Sequence, residues 1–129
     1  MRKTEWTTLP SKGRGARKAP NFPLGEKSTA EASLWTVLWK KPQAVMWERL
    51  GLTFQVAAYA RAFLESTEAG APASLKVSVL RMEDGLGLSI VGLNALRWQI
   101  AEDEVAKARA THAPAADAPA PIRRLRATA

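Results

Sequence analysis

Two short stretches of this chain, Gly51-Leu52-Thr53 and Gly87-Leu88-Ser89, follow one pattern: a glycine, a leucine, then a hydroxyl residue. Each stands between runs whose apolar residues recur every three or four positions. Glycine tolerates the left-handed backbone that ends a helix. The leucine then plugs the turn, and Thr or Ser can cap the helix that follows. A chain carrying this device twice is constrained to short helices joined by tight corners. Three residues are too few to argue a duplication, and a general helix–helix connection accounts for both.

The runs themselves divide into five. Ser28-Thr29-Ala30-Glu31 has the S-x-x-E form of a capping box, and Leu34, Trp35, Leu38 and Trp39 continue it as one apolar stripe. Pro42 ends that helix and suits the first turn of a second, which carries Val45, Met46 and Trp47 to about Leu50. Thr53 is placed to cap a third, with Val56, Ala60, Phe63 and Leu64 inward, up to the Gly70-Ala71-Pro72 break. Leu75, Val79, Met82 and Leu86 mark a fourth, ended by Gly85 and Gly87. A fifth begins near Ser89 and carries Ile90, Leu93, Leu96 and Ile100. Gly92 inside it costs about 1 kcal/mol relative to alanine, which points to a close helix approach, within the chain or between subunits. No stretch alternates with period two. The expected class is all-α, a body of about five helices over residues 28–104.

Charge separates this body from its flanks. Residues 1–27 hold seven basic residues against Glu5 and Glu26, a net of +5, and residues 105–129 hold five against Asp117, a net of +4. Residues 28–104 hold seven basic and nine acidic residues, a net of −2. The first segment, punctuated by prolines and glycines up to Gly25, is expected to be an extended basic arm, onto whose folded neighbour Phe22 and Leu24 could dock. The last, with THAPAADAPAPIRRLRATA at its end, reads as an Ala/Pro spacer followed by a basic cluster. Basic arms on a small folded body suit a polyanion, because each neutralised phosphate releases condensed counterions. Solubility or compositional bias is the plainer alternative.

Catalysis finds little support. His112 is the sole histidine and lies in the Ala/Pro tail, and there is no cysteine. The carboxylates Glu83-Asp84 and Glu102-Asp103-Glu104 are adjacent on helices, so they diverge by about 100° and do not converge on one ion. No P-loop or dinucleotide fingerprint is present. We therefore expect no enzyme, no metal and no cofactor. No apolar run approaches the roughly 20 residues that span a bilayer, and the N-terminus lacks the apolar core of a signal peptide. A soluble, intracellular protein with no membrane partner is expected.

Binding fares better. Residues 42–63 read as two helices around Gly51, compatible with a helix-turn-helix in which Thr53, Gln55, Tyr59 and Arg61 are exposed candidate DNA contacts. Any helical hairpin with a glycine turn looks similar. Lys12, Arg14, Arg17 and Lys18 in the arm are the candidate phosphate contacts. Five tryptophans, at positions 6, 35, 39, 47 and 98, exceed what so small a body easily buries. Trp35, Trp39, Trp47 and Trp98, with Leu86 and Leu93, are therefore assigned to the core or to subunit contacts.

Four blocks in order carry a resemblance: LPSKGRGARKAPNFPLG, ASLWTVLWKKPQAVMWERLG, VAAYARAFLES and LRMEDGLGLSIVGLNALRWQIAEDE. Together they cover about residues 9–104. The chain resembles the small terminase subunit of tailed phages and prophages of actinobacteria, most specifically through L-W-x-x-L-W-x-x-P-Q-A at 34–44, E-D-x-L-G-L-[ST] at 83–89 and Arg97-Trp98. It departs from that pattern at Gly85, Ile90 and Gln99, where arginine, proline and an acidic residue are common. The resemblance implies a non-enzymatic protein that assembles as a ring and binds double-stranded viral DNA. It would deliver that DNA to the large terminase subunit, which holds the ATPase and nuclease, in the cytoplasm of the bacterial host. Alternatives are a helix-turn-helix transcriptional regulator and a head-completion or adaptor protein with no DNA role.

Overall fold

The computed structural model describes residues 5–102 of the 129. Its elements are β1 (Thr7–Leu9), α1 (Thr29–Leu38), α2 (Ala44–Leu50), α3 (Thr53–Ser66), α4 (Ala73–Leu86), α5 (Ile90–Leu96) and β2 (Trp98–Ile100). Five helices dominate, as the spacing predicts. The C-terminal segment 105–129, including His112 and the basic cluster, lies outside the described residues.

The capping box forms in full. Ser28 Oγ accepts from the Glu31 amide at 3.1 Å, and Glu31 Oε1 accepts from the Ser28 amide at 2.9 Å. Both glycine corners close in the same way. Gly51 (φ 70°) and Gly87 (φ 74°) are left-handed, and the amides of Leu52 and Leu88 each donate 2.8 Å bonds to the carbonyls five residues back, on Trp47 and Glu83. That is the Schellman closure, which satisfies carbonyls a helix end leaves orphaned. The likeness stops at the third residue. Ser89 Oγ caps α5 by accepting from the Gly92 amide, whereas Thr53 is the first residue of α3 and makes no capping bond.

Three local expectations need correction. Gly85 does not end α4; it lies inside the helix, one residue short of Leu86. Pro42 sits in the 3₁₀-like turn before α2, whose regular part begins at Ala44. The fifth helix does not reach Ile100. It stops at Leu96, Arg97 turns in left-handed geometry (φ 58°), and the chain becomes β2, leaving Ile90 79% exposed instead of inward.

β2 pairs in parallel with β1, Thr7 opposite Trp98 and Leu9 opposite Ile100, so the two ends of the described region lie side by side. The pairing buries Leu9 almost completely. A three-residue strand shows no measurable alternation, and its partner lies some 90 positions away in sequence, so no local pattern reveals it.

The core is an aromatic file. Phe22, Trp35, Trp39 and Trp47 meet edge to face in succession, with ring centroids 5.1, 5.5 and 5.5 Å apart, a favoured arrangement for such rings. Trp47 Nε1 and Gln43 Nε2 donate to the carbonyls of Leu86 and Gly87, which ties α2 to the end of α4. Trp98 covers Gly87 so closely that an added Cβ would meet its ring at 2.5 Å. Trp35, Trp39, Trp47, Trp98 and Leu86 are all buried within the one chain, and Leu93 packs partly against them. The tryptophans thus need no second subunit to cover them. Only Trp6 is substantially exposed, under the Arg97 guanidinium.

Candidate nucleic-acid interface

The arm from Pro10 to Gly25 is not free; it is folded onto α1 and the turn before α2. Gly13 and Gly15 take positive φ, and their amides donate to the carbonyls of Pro10 and Lys12, making two successive tight turns. Gly13 rests on the Lys41 carbonyl, where a Cβ would come within 2.6 Å. Further on, Trp35 Nε1 donates to the Pro20 carbonyl at 2.7 Å, and Phe22 seats against the Trp35 ring. These contacts fix a segment whose composition alone argues against a core position.

Between residues 16–22 and α1 lies an open groove of about 460 Å³. Arg17, Lys18, Lys27 and Lys40 line it, with Phe22, Trp35 and Trp39 behind them, and no acidic side chain contributes. Lys12 and Lys41 are also exposed, and the seating of Gly13 on the Lys41 carbonyl brings their chain segments together next to groove-lining Lys40. Among the described residues, the ion pairs that form involve only Arg14 and Arg17 with Glu48, and Arg61 with Glu31. The five lysines therefore keep their charge for solvent or for a ligand. Lys27, in addition, lies over the Phe22 ring.

The expected contacts separate on this geometry. Arg17 and Lys18 are exposed and line the groove, and Lys12 is exposed outside its lining. Arg14 does not serve as a phosphate contact in this arrangement, since its side chain is only 7% exposed. It lies over the Trp39 ring and donates to the Lys18 carbonyl and to Glu48, holding the arm's own shape. Lys27, Lys40 and Lys41 were not among the expected contacts. Counted by segment, the last two fall in the net-acidic body, which hid them; the WKKP stretch at the α1 end was their local signal.

The recognition-helix expectation for α3 is corrected more deeply. That helix packs against α1, α2 and α4, so its faces are largely covered. Tyr59 is 5% exposed and donates its hydroxyl to Glu83 Oε2 at 2.7 Å. Burial foremost, then the Glu83 carboxylate, raises its pKa above the usual phenol range. Arg61 donates to Glu31 and to the Glu26 carbonyl, and lies over the Phe22 ring. The Arg61 bond, then the Ser28 amide, lowers the Glu31 pKa. Only Gln55 keeps the expected exposure, beside a small apolar hollow formed with Leu52, Met82, Gly85 and Leu86.

Glu83 accepts from Tyr59 and Asp84 from Ser89, so the two carboxylates serve separate contacts. Among the described residues no group of three His, Asp or Glu side chains is placed to hold a metal ion, and no helix is long and apolar enough to cross a membrane. What the groove offers chemically is a row of ammonium and guanidinium donors above a rigid aromatic floor, suited to oxyanions along a chain. Comparison with protein-family models, with curated proteins and with solved structures gives no match.

Proposed function

We propose that this chain is the small subunit of a phage terminase, a non-enzymatic protein that binds double-stranded viral DNA and passes it to the large, ATP-hydrolysing subunit. The observation that carries the DNA-binding half is the groove. Arg17, Lys18, Lys27 and Lys40 gather there, and no acid lines it. The ordered blocks at 9–104 support the packaging half. DNA lies against the arm and α1, rather than receiving α3 in its major groove. The buried Tyr59 and the engaged Arg61 weigh against a regulator of the helix-turn-helix kind.

Assembly into a ring through copies of itself belongs to the same reading. Leu80, Phe54, Ile90 and Val91 are between 60% and 79% exposed, apolar surface that subunit contacts would cover. The test is DNA-dependent ATP hydrolysis by the cognate large subunit, measured with and without this protein, beside native mass spectrometry. Stimulation by a ring-sized species is expected. No effect on the cognate motor from a chain that stays monomeric or dimeric would remove the packaging role.

A further inference from the structure

Among the described residues, Glu48, on α2, is the acid bound to Arg14 and Arg17, and it holds them differently. Arg14 is packed: 7% exposed, over the Trp39 ring and bonded to the Lys18 carbonyl as well as to Glu48. Arg17 is 58% exposed, and its two terminal nitrogens meet the two Glu48 oxygens at 2.7 and 3.1 Å. Its other bond is a long 3.4 Å contact to the Arg14 carbonyl. Of the four cations lining the groove, Arg17 is the one engaged in an ion pair among the described residues.

A phosphodiester offers the same pair of oxygens, at similar spacing, that a carboxylate offers to a guanidinium fork. We propose that Glu48 stands in for a phosphate, keeping Arg17 in reserve, and that DNA entering the groove takes the Arg17 guanidinium from it. This rests on the DNA-binding reading above. Exchange is easy because an exposed ion pair is weak and screened by salt. The arm stays in place during the exchange. Leu9 remains buried, Trp35 still holds the Pro20 carbonyl, and Arg14 keeps its stacking and its bond to Lys18. Glu48 thereby sets how tightly the groove holds any polyanion, and favours ligands able to present two oxygens at once.

The test compares wild type, Glu48→Gln, Arg17→Gln and the double variant on a short mixed-sequence DNA duplex, by fluorescence anisotropy across a salt series, with thermal unfolding of each. Glu48→Gln should bind roughly three- to tenfold tighter at low salt. Its salt slope should stay close to that of wild type, because Arg17 meets a phosphate in both complexes. Arg17→Gln should weaken binding, and the double variant should gain nothing over it. In wild type, the Arg17 side-chain NMR signal should shift on adding duplex while that of Arg14 stays.

Equal or weaker binding by a folded Glu48→Gln overturns the inference, as does an equal gain without Arg17. If Glu48→Gln does not fold, the Arg17 signal decides, and its staying fixed as duplex binds is contrary. Loss of binding in Lys18→Ala with no change in Glu48→Gln overturns the reserve role alone. No duplex binding by wild type overturns the DNA reading and this inference together.

Discussion

Two glycines in consecutive helices show how far a residue's neighbours decide its worth. Gly85 lies inside α4 with nothing within 4 Å of where a Cβ would stand. There glycine only loosens the helix, so Gly85→Ala should raise stability by about 0.5–1 kcal/mol in denaturant unfolding. Gly92 is the reverse. A Cβ there would collide with the backbone of Asp84, so α5 crosses α4 at contact distance. Gly92→Ala should destabilise by at least about 1 kcal/mol, the usual scale of overpacking. Equal effects at both positions would refute this account of the α4–α5 crossing. The sequence pattern identifies Gly92 as a close approach. It cannot say that the approach is internal, because that depends on which helix folds back over it.

The elements divide the same way into legible and hidden. Caps and corners act within five residues, so Ser28, Glu31, Gly51, Gly87 and Ser89 announce α1, the α2–α3 corner and the α4–α5 corner directly. The β1–β2 pair is hidden because it joins the two ends of the described region, and Arg97, not a glycine, makes the left-handed turn into it. The burial of α3 on several sides is hidden too, since Tyr59 reads as amphipathic until Glu83 is placed opposite it. The capping box of α1 carries a pH prediction. Arg61 and the Ser28 amide hold the Glu31 carboxyl below its ordinary 4.5. A lowered pKa adds stability that is full above that value and fades as pH falls through the folded one. The stability lost in Glu31→Gln should therefore be larger at pH 7 than at pH 3, by chemical denaturation. A deficit that is the same at both would show that the charge is not what matters.

For the whole molecule, the decisive change lies in where positive charge gathers. By segment count it belongs to two tails on a slightly acidic body, and the candidate contacts Arg14, Tyr59 and Arg61 follow from supposing those residues free. Folding packs the N-terminal arm onto α1, uses Arg14 and Arg61 to fasten the structure, and joins Arg17 and Lys18 to Lys27 and Lys40 across one groove. Half of this interface was legible as a basic segment. The other half required knowing that residues 12–18 fold back upon residues 40–41. The central claim is that this surface holds DNA through its phosphates, and the salt dependence of duplex affinity tests it most directly. In a Lys18→Ala/Lys40→Ala variant that melts like wild type, the slope of log affinity against log salt should become shallower by about 1.8, two phosphate contacts' worth. An unchanged slope and affinity in that folded variant would contradict the account.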